Sequence, residues 1–147
     1  MKIALGSDHG GFQLKETIKE WLLEKGYEIV DKGTYDEQSC DYPDYGKAVA
    51  LEVVGGTADK GIIVCGTGVG ISIAANKVNG IRAAVCGDTF TARMTRQHND
   101  ANILSLGQRV TGPGLALDIV EIWLATEFEG GRHQTRVEKM MKIETEQ

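Results

Sequence analysis

The 147-residue sequence is poor in several features that mark specialised chemistry or location. It has three cysteines, Cys40, Cys65 and Cys86, an odd number with no Cys-x-x-Cys pair. A disulfide framework or structural zinc site is therefore not expected, and a reducing cytoplasm fits. No apolar run approaches the ~18 residues of a membrane span. The opening MKIALGSDHGG has no cationic leader before a long apolar segment, so no secretory signal is expected. The three histidines show no metal-ligand spacing, and neither a metal nor another cofactor is expected. Basic residues are outnumbered, with 16 Lys and Arg against 21 Asp and Glu. A net charge of −5 argues against bulk nucleic-acid binding while leaving room for a small anion where arginines gather. There is no internal repeat and no linker long enough to divide the chain, so residues 1–147 read as one domain.

What is present is an alternation of strand-like and helix-like segments. Apolar runs at Lys2–Gly6, Glu28–Asp31, Gly61–Cys65, Ile81–Cys86 and Ile103–Leu106 are each followed by a helical pattern, over Phe12–Lys25, Tyr45–Val54, Ile71–Lys77, Thr89–His98 and Pro113–Phe128. A basic helix follows from about Arg132 to residue 142. Five such units predict an α/β fold, a five-stranded parallel sheet with helices on both faces. The expected strand order, 2-1-3-4-5, puts the topological switch point between strands 1 and 3, where ligands of open α/β sheets bind beyond the carboxyl ends. The two glycine-rich loops follow those two strands.

The loop Cys65-Gly66-Thr67-Gly68-Val69-Gly70 is the most informative stretch. Alternating glycines let backbone N–H groups converge on an anion, and a thiol at that electropositive mouth suits use as a base. Cys65 also fits a buried strand end. The loop is not a Walker loop, because Ile71-Ser72 follows Gly70 where Lys-Ser/Thr would be needed. It also lacks the arginine of a phosphatase loop. Gly6, Gly10, Gly11 and the later Asp31 leave a weak dinucleotide-binding alternative.

At the tip of strand 1, Asp8 can cap the first helix, whereas His9 has no evident packing or capping role and can reach a sugar hydroxyl or phosphate. His98-Asn99, at a helix end, read equally as a cap and as site residues. His133, between charged neighbours, reads as a surface residue. Arg132 and Arg136 lie four apart and share a helix face, where two guanidinium forks suit a phosphate dianion. Arg109, just past strand 5, is a third candidate cation.

GSDHGG, DYPDYG, CGTGVGISIAANK, RQHNDANILSLGQR and GGRHQTRV, in this order from residue 1 to about 140, resemble the ribose-5-phosphate isomerase type B family. That family also includes enzymes of galactose 6-phosphate and allose 6-phosphate. The resemblance implies a Rossmann-like three-layer domain, and a homodimer or dimer of dimers with shared active sites, to which the C-terminal helix contributes. It implies an aldose–ketose isomerase interconverting ribose 5-phosphate and ribulose 5-phosphate through a cis-enediol(ate), in the pentose phosphate pathway. Cys65 would move the proton, and Thr67 with the N–H groups of Gly66, Gly68, Val69 and Gly70 would stabilise the enediolate. His98, helped by Asp8, would open the furanose ring. His9, Arg132, Arg136 and Arg109 would hold the phosphate, and Asn99 the sugar oxygens. His98, Asn99 and Arg109 would come from the partner subunit. One branch of the family has a Glu base where this sequence has Ile71, so the cysteine branch applies. The alternatives are a six-carbon 6-phosphate isomerase acting on allose or galactose phosphate, and a non-catalytic nucleotide- or sugar-phosphate-binding domain.

Overall fold

The computed structural model describes residues 1–147. The chain alternates β1 (Lys2–Ser7), α1 (Phe12–Glu24), β2 (Glu28–Asp31), α2 (Tyr42–Val54), β3 (Lys60–Cys65), α3 (Val69–Ala75), β4 (Ala83–Val85), α4 (Thr89–Gln97), β5 (Ile103–Gly107), α5 (Pro113–Ala125) and α6 (Arg132–Lys142). All strand pairings are parallel. Side chains of successive strand residues point to opposite faces, and the central strands are apolar on both. Ile3, Leu5, Ile62, Val64, Leu104 and Leu106 pack beneath α1, α4 and α5. Ala4, Ile63, Cys65 and Ile103 face α2 and α3. The result is a three-layer α/β sandwich, as the patterning predicts.

The strand order is 2-1-3-5-4, not the expected 2-1-3-4-5. Strand β5 is buried at all five positions and takes the place beside β3, while the three-residue β4 is partly exposed and forms the edge. A strand covered on both faces and both sides must fill the space around it, and ILSLG, longer and with three large aliphatic side chains and its serine hydrogen-bonded to Gly68 C=O, does so better than AAV. The edge is closed locally by Asn76, whose side chain accepts from Ala83 N–H at 2.7 Å and donates to Ala83 C=O at 3.0 Å. That contact occupies backbone groups on which another strand could otherwise pair. The second helix begins at Tyr42, three residues earlier than expected, with Pro43 in its first turn, where a missing N–H costs nothing.

On the α1 side, the loop after β2 is tied down by a buried charge. The Lys15 side chain is fully buried, and its ammonium lies 2.8 Å and 2.9 Å from the two Asp31 oxygens and 3.0 Å from Glu16. The rings of Phe12 and Tyr35 cover it. Asp31 also accepts from Gly33 N–H and Lys19. Burial pushes the Asp31 carboxyl up, but Lys15, the Gly33 N–H and Lys19 together outweigh it and hold the group below its ordinary 3.8.

Removing Lys15 leaves the partly buried Asp31 carboxylate with only Lys19 and the Gly33 N–H to compensate it, and opens a cavity where the lysine stem was packed. Lys15→Ala is therefore expected to destabilise the fold by about 3 kcal/mol in chemical denaturation. A carboxyl whose folded pKa is depressed contributes stability above its unfolded value and loses it as pH falls through the lower folded value. Asp31→Asn should accordingly flatten the fall in stability below about pH 4, the ordinary range of an aspartate. An unchanged acid limb in urea titrations would argue against this role for Asp31.

Candidate active site

Every β-strand runs in the same direction, so strand ends and helix ends separate to opposite edges of the sheet. The residues singled out from the sequence divide accordingly into two clusters.

The first cluster lies at the carboxyl edge, where the loops after β1, β3 and β5 meet. Asp8 caps the short turn His9–Gly11, its side chain accepting the Gly11 N–H at 3.2 Å. The capping role is therefore real, and it holds the carboxylate at the mouth, with Oδ1 3.3 Å from where a Gly10 Cβ would stand. His9 Nδ1 accepts the Cys40 N–H at 3.2 Å. In that arrangement the ring proton of the neutral imidazole sits on Nε2, which is then a donor. The loop anchored by Lys15–Asp31 carries Cys40, so the buried ion pair supports the orientation of His9.

Cys65, at the end of β3, is buried, and its Sγ accepts the Gly68 N–H at 3.1 Å. This contact suits a sulfur that carries negative charge during proton transfer. Gly68 has φ +80, and a Cβ there would lie 2.9 Å from the Leu106 carbonyl carbon, so only glycine makes the turn. Thr67 Oγ1 accepts the Val69 N–H at 3.2 Å, and Ser105 Oγ donates to Gly68 C=O at 2.6 Å, fixing the loop from below. The first turn of α3 begins at Val69, two residues before the expected start. Gly70 lies against the ring of Tyr42, where a Cβ would come within 2.6 Å. Tyr42 is thus a wall of this mouth. In the sequence Tyr42 stands only within DYPDYG, and its position at a proline-marked helix start is the one signal of that role.

Arg109 also belongs to this cluster. The N–H groups of Gln108 and Arg109 donate to Cys65 C=O and Gly66 C=O at 2.9 and 3.0 Å. The Arg109 guanidinium lies 3.1 Å from where a Gly66 Cβ would stand and 3.5 Å from the corresponding Gly10 position. The expectation that Arg109 reaches this mouth only from a partner is corrected. Because β5 pairs with β3, its carboxyl end delivers the arginine to the Cys65 loop of its own chain.

The second cluster lies at the opposite edge, where α4 ends and α6 begins. His98, Asn99, Arg132, His133, Arg136, Val137 and Met140 line a cleft of about 310 Å³. His98 is the C-cap of α4, its N–H donating to Met94 C=O, and it is half-buried. Its ring stacks on His133 with centroids 4.3 Å apart and planes 14° from parallel. His133 is buried, not the surface residue expected. Burial and the nearby His98, Arg132 and Arg136 hold its pKa below the ordinary 6.5, against the pull of Glu129 at 3.4 Å. The signal was weak, because α6 is amphipathic but opens with charges on both sides of His133.

Donor atoms of His98, Glu129 and His133 lie within 4.8 Å of one another. Imidazole lone pairs lie in the ring plane, so two nearly parallel rings do not converge on one ion, and this trio is better described as a stack with an ion pair. Six-residue strands span about 20 Å, which is the scale separating the two clusters. One chain therefore holds the thiol and three polar partners at one edge, and a basic cleft with two stacked histidines at the other.

A family model described as Ribose/Galactose Isomerase matches residues 3–140. Ribose-5-phosphate isomerase B of Escherichia coli (strain K12) is 56% identical over 143 residues, covering 97% of this chain and 96% of that protein. Ribose-5-phosphate isomerase B of Clostridium thermocellum superposes with a TM-score of 0.98 at 61% identity, over 99% of this chain and 98% of that one. The Mycoplasma genitalium ribose-5-phosphate isomerase B, solved with bound ribulose-5-phosphate, has a TM-score of 0.95 at 42% identity, over 99% and 97%. The match spans nearly the whole chain and takes in both loop clusters, and the chain belongs to the ribose/galactose isomerase family.

Proposed function

We propose that the protein interconverts ribose 5-phosphate and ribulose 5-phosphate, using Cys65 as the base that carries the proton between C2 and C1. The observation that carries this reading is the Cys65 thiol held by the Gly68 N–H at a mouth where Asp8, His9 and Arg109 converge from the ends of two other strands. Ribose-5-phosphate isomerases of the same fold and near-complete coverage support the choice of substrate.

The reaction follows from this arrangement. A proton donated to the ring oxygen, together with loss of the anomeric hydroxyl proton, opens the furanose. His98 and Asp8 take these roles. The Cys65 thiolate then removes the proton from C2, and the electron pair moves onto the carbonyl oxygen to give an enediolate. Thr67 and the N–H groups of Gly66, Gly68, Val69 and Gly70 stabilise that oxygen, as preorganised donors do for developing charge. The proton moves from O2 to O1, and the Cys65 thiol returns the carbon-bound proton to C1. The residues supply a base and an oxyanion environment, which suffice for proton transfer between adjacent carbons.

His98 lies at the far edge of its own sheet, so it reaches this mouth from a second copy of the chain. In the proposed homodimer, or dimer of dimers, His98, Asn99, Arg132 and Arg136 of the partner subunit close over Cys65, Asp8, His9 and Arg109. The phosphate then sits between His9 and Arg109 on one side and the two partner arginines on the other. Asn99 of the partner subunit holds sugar oxygens. The C-terminal helix α6, which carries both arginines, contributes to the contact between copies. No helix is long and apolar enough to cross a membrane, and we place the enzyme in the cytoplasm, in the pentose phosphate pathway.

Cys65→Ala is expected to lower kcat by roughly a thousandfold on ribose 5-phosphate in chelator-treated protein. Retained turnover would remove Cys65 as the base. Ribose 5-phosphate should also exceed allose 6-phosphate and galactose 6-phosphate in kcat/KM. Subunit sharing has its own test. Cys65→Ala and His98→Ala chains, each nearly inactive, are unfolded together and refolded as a mixture. Heterodimers then carry one intact site, so activity should return to roughly a quarter of wild type. No recovery, with heterodimers verified by mass spectrometry, would place each site within one chain.

A further inference from the structure

Arg96 is a buried cation outside the proposed reacting groups, only 6% exposed, in the last turn of α4. Its Nη1 donates to Asp100 Oδ1 at 2.9 Å and to Ala101 C=O at 2.6 Å. Its Nε donates in another direction, to Thr126 C=O at 3.2 Å, in the connection between α5 and α6. The guanidinium lies over the Trp123 ring at 5.7 Å. One rigid fork thus binds the segment just after His98-Asn99 and the segment that leads into Arg132 and Arg136.

The turn it grips is conformationally unusual. Asp100 has φ +48, a left-handed conformation uncommon for a residue with a side chain and held only where surrounding contacts favour it. Arg82 grips Asp100 from the other side, with Nε donating to its carbonyl at 2.9 Å and Nη2 lying 3.6 Å from its carboxylate. The Glu129 N–H adds a direct bond to Gln97 C=O at 3.2 Å. His98 and Asn99 are the two residues between Gln97 and Asp100, and both of those anchors are fixed.

We infer that Arg96 is a positioning residue: by joining the Asp100 turn to Thr126, it sets the spacing between His98-Asn99 and the phosphate-facing Arg132 and Arg136. It contacts no substrate and acts through those four residues. The assignment rests on the roles of His98 and the arginines proposed above. Lysine cannot replace it, because an ammonium is a compact point charge and cannot reach acceptors along two separated directions. A displacement near 1 Å at a group far from the reacting atoms can lower rate by about a hundredfold.

The test uses the full chain. Arg96→Lys is expected to keep the wild-type oligomeric state and circular dichroism while kcat/KM on ribose 5-phosphate falls about tenfold to a hundredfold. In a His98→Ala background the same change should cost less than in wild type, because the part of the loss that acts through His98 is already gone while the part that acts through the arginines remains. Wild-type kcat/KM in folded Arg96→Lys overturns the inference, as does an equal loss in both backgrounds. Should Arg96→Lys fail to fold, Asp100→Asn, which tolerates the left-handed turn, is read in the same way. A second arm does not depend on turnover. Titration of inorganic phosphate by calorimetry should show weaker binding in Arg96→Lys than in wild type by about tenfold, and equal affinities overturn the inference. If wild-type protein fails to isomerise ribose 5-phosphate, the proposed function falls, while the phosphate titration still decides the role of Arg96.

Discussion

The pairing of β3 with β5 is the constraint on which the rest of the carboxyl-edge site depends. It aligns Cys65 with Gly107 and continues beyond the strands through the bonds of Gln108 and Arg109 N–H to Cys65 and Gly66 C=O. The two loops are then so close that a Cβ on Gly107 would stand 2.6 Å from the Thr67 carbonyl. Ser105, on the same strand, holds the Gly68 carbonyl. A loop built of glycines would otherwise be free to move, and this backbone seam turns it into a fixed set of donors around the sulfur. Preorganisation of that kind gives backbone N–H groups catalytic value, since they need not reorient as charge develops.

The parallel sheet has a second consequence. Each helix returns the chain from the carboxyl edge to the amino edge, so residues at strand tips and residues at helix ends cannot meet within one copy. The thiol and the histidine proposed to open the ring fall on opposite edges for this reason, with Arg132 and Arg136, proposed to face the phosphate, beside the histidine. In the proposed dimer a second copy would complete the set, and the phosphate would bridge the subunits. Binding energy from that remote group can then position the sugar over Cys65, which is where a phosphate clamp distant from the reacting carbon helps most.

Two buried ionic groups hold these edges in shape. Lys15 and Asp31 fasten the loop whose Cys40 N–H orients His9. Arg96 fastens the turn that presents His98 and Asn99. A buried ion pair contributes little net stability compared with a well-packed apolar alternative. What these two supply is directional geometry at places where the backbone leaves regular secondary structure, next to residues that must be placed accurately.

Apolar periodicity determined the α/β class, the five strands and the two-sided burial, because local pattern reports directly on which faces meet water. The tight turn of the Cys65 loop was legible for a similar reason, since glycine spacing dictates what a backbone can do locally. Asp8 and His9 stand out in the sequence through their position at a strand tip, and Arg132 and Arg136 through their spacing on one helix face. Strand order was not legible: the choice between β4 and β5 as neighbour of β3 depends on which strand can be buried on every side, a property of the assembled sheet. The placement of Arg109 beside the Cys65 loop of its own chain follows from that pairing, whereas the resemblance implied that it comes from a partner. His133 looked solvated because its sequence neighbours are charged, whereas its burial comes from contact with His98, thirty-five positions away. The sequence by itself determined which groups are available and the type of layer they fold into. Only the tertiary structure decided which of them share an edge of the sheet, because that depends on non-local strand pairing.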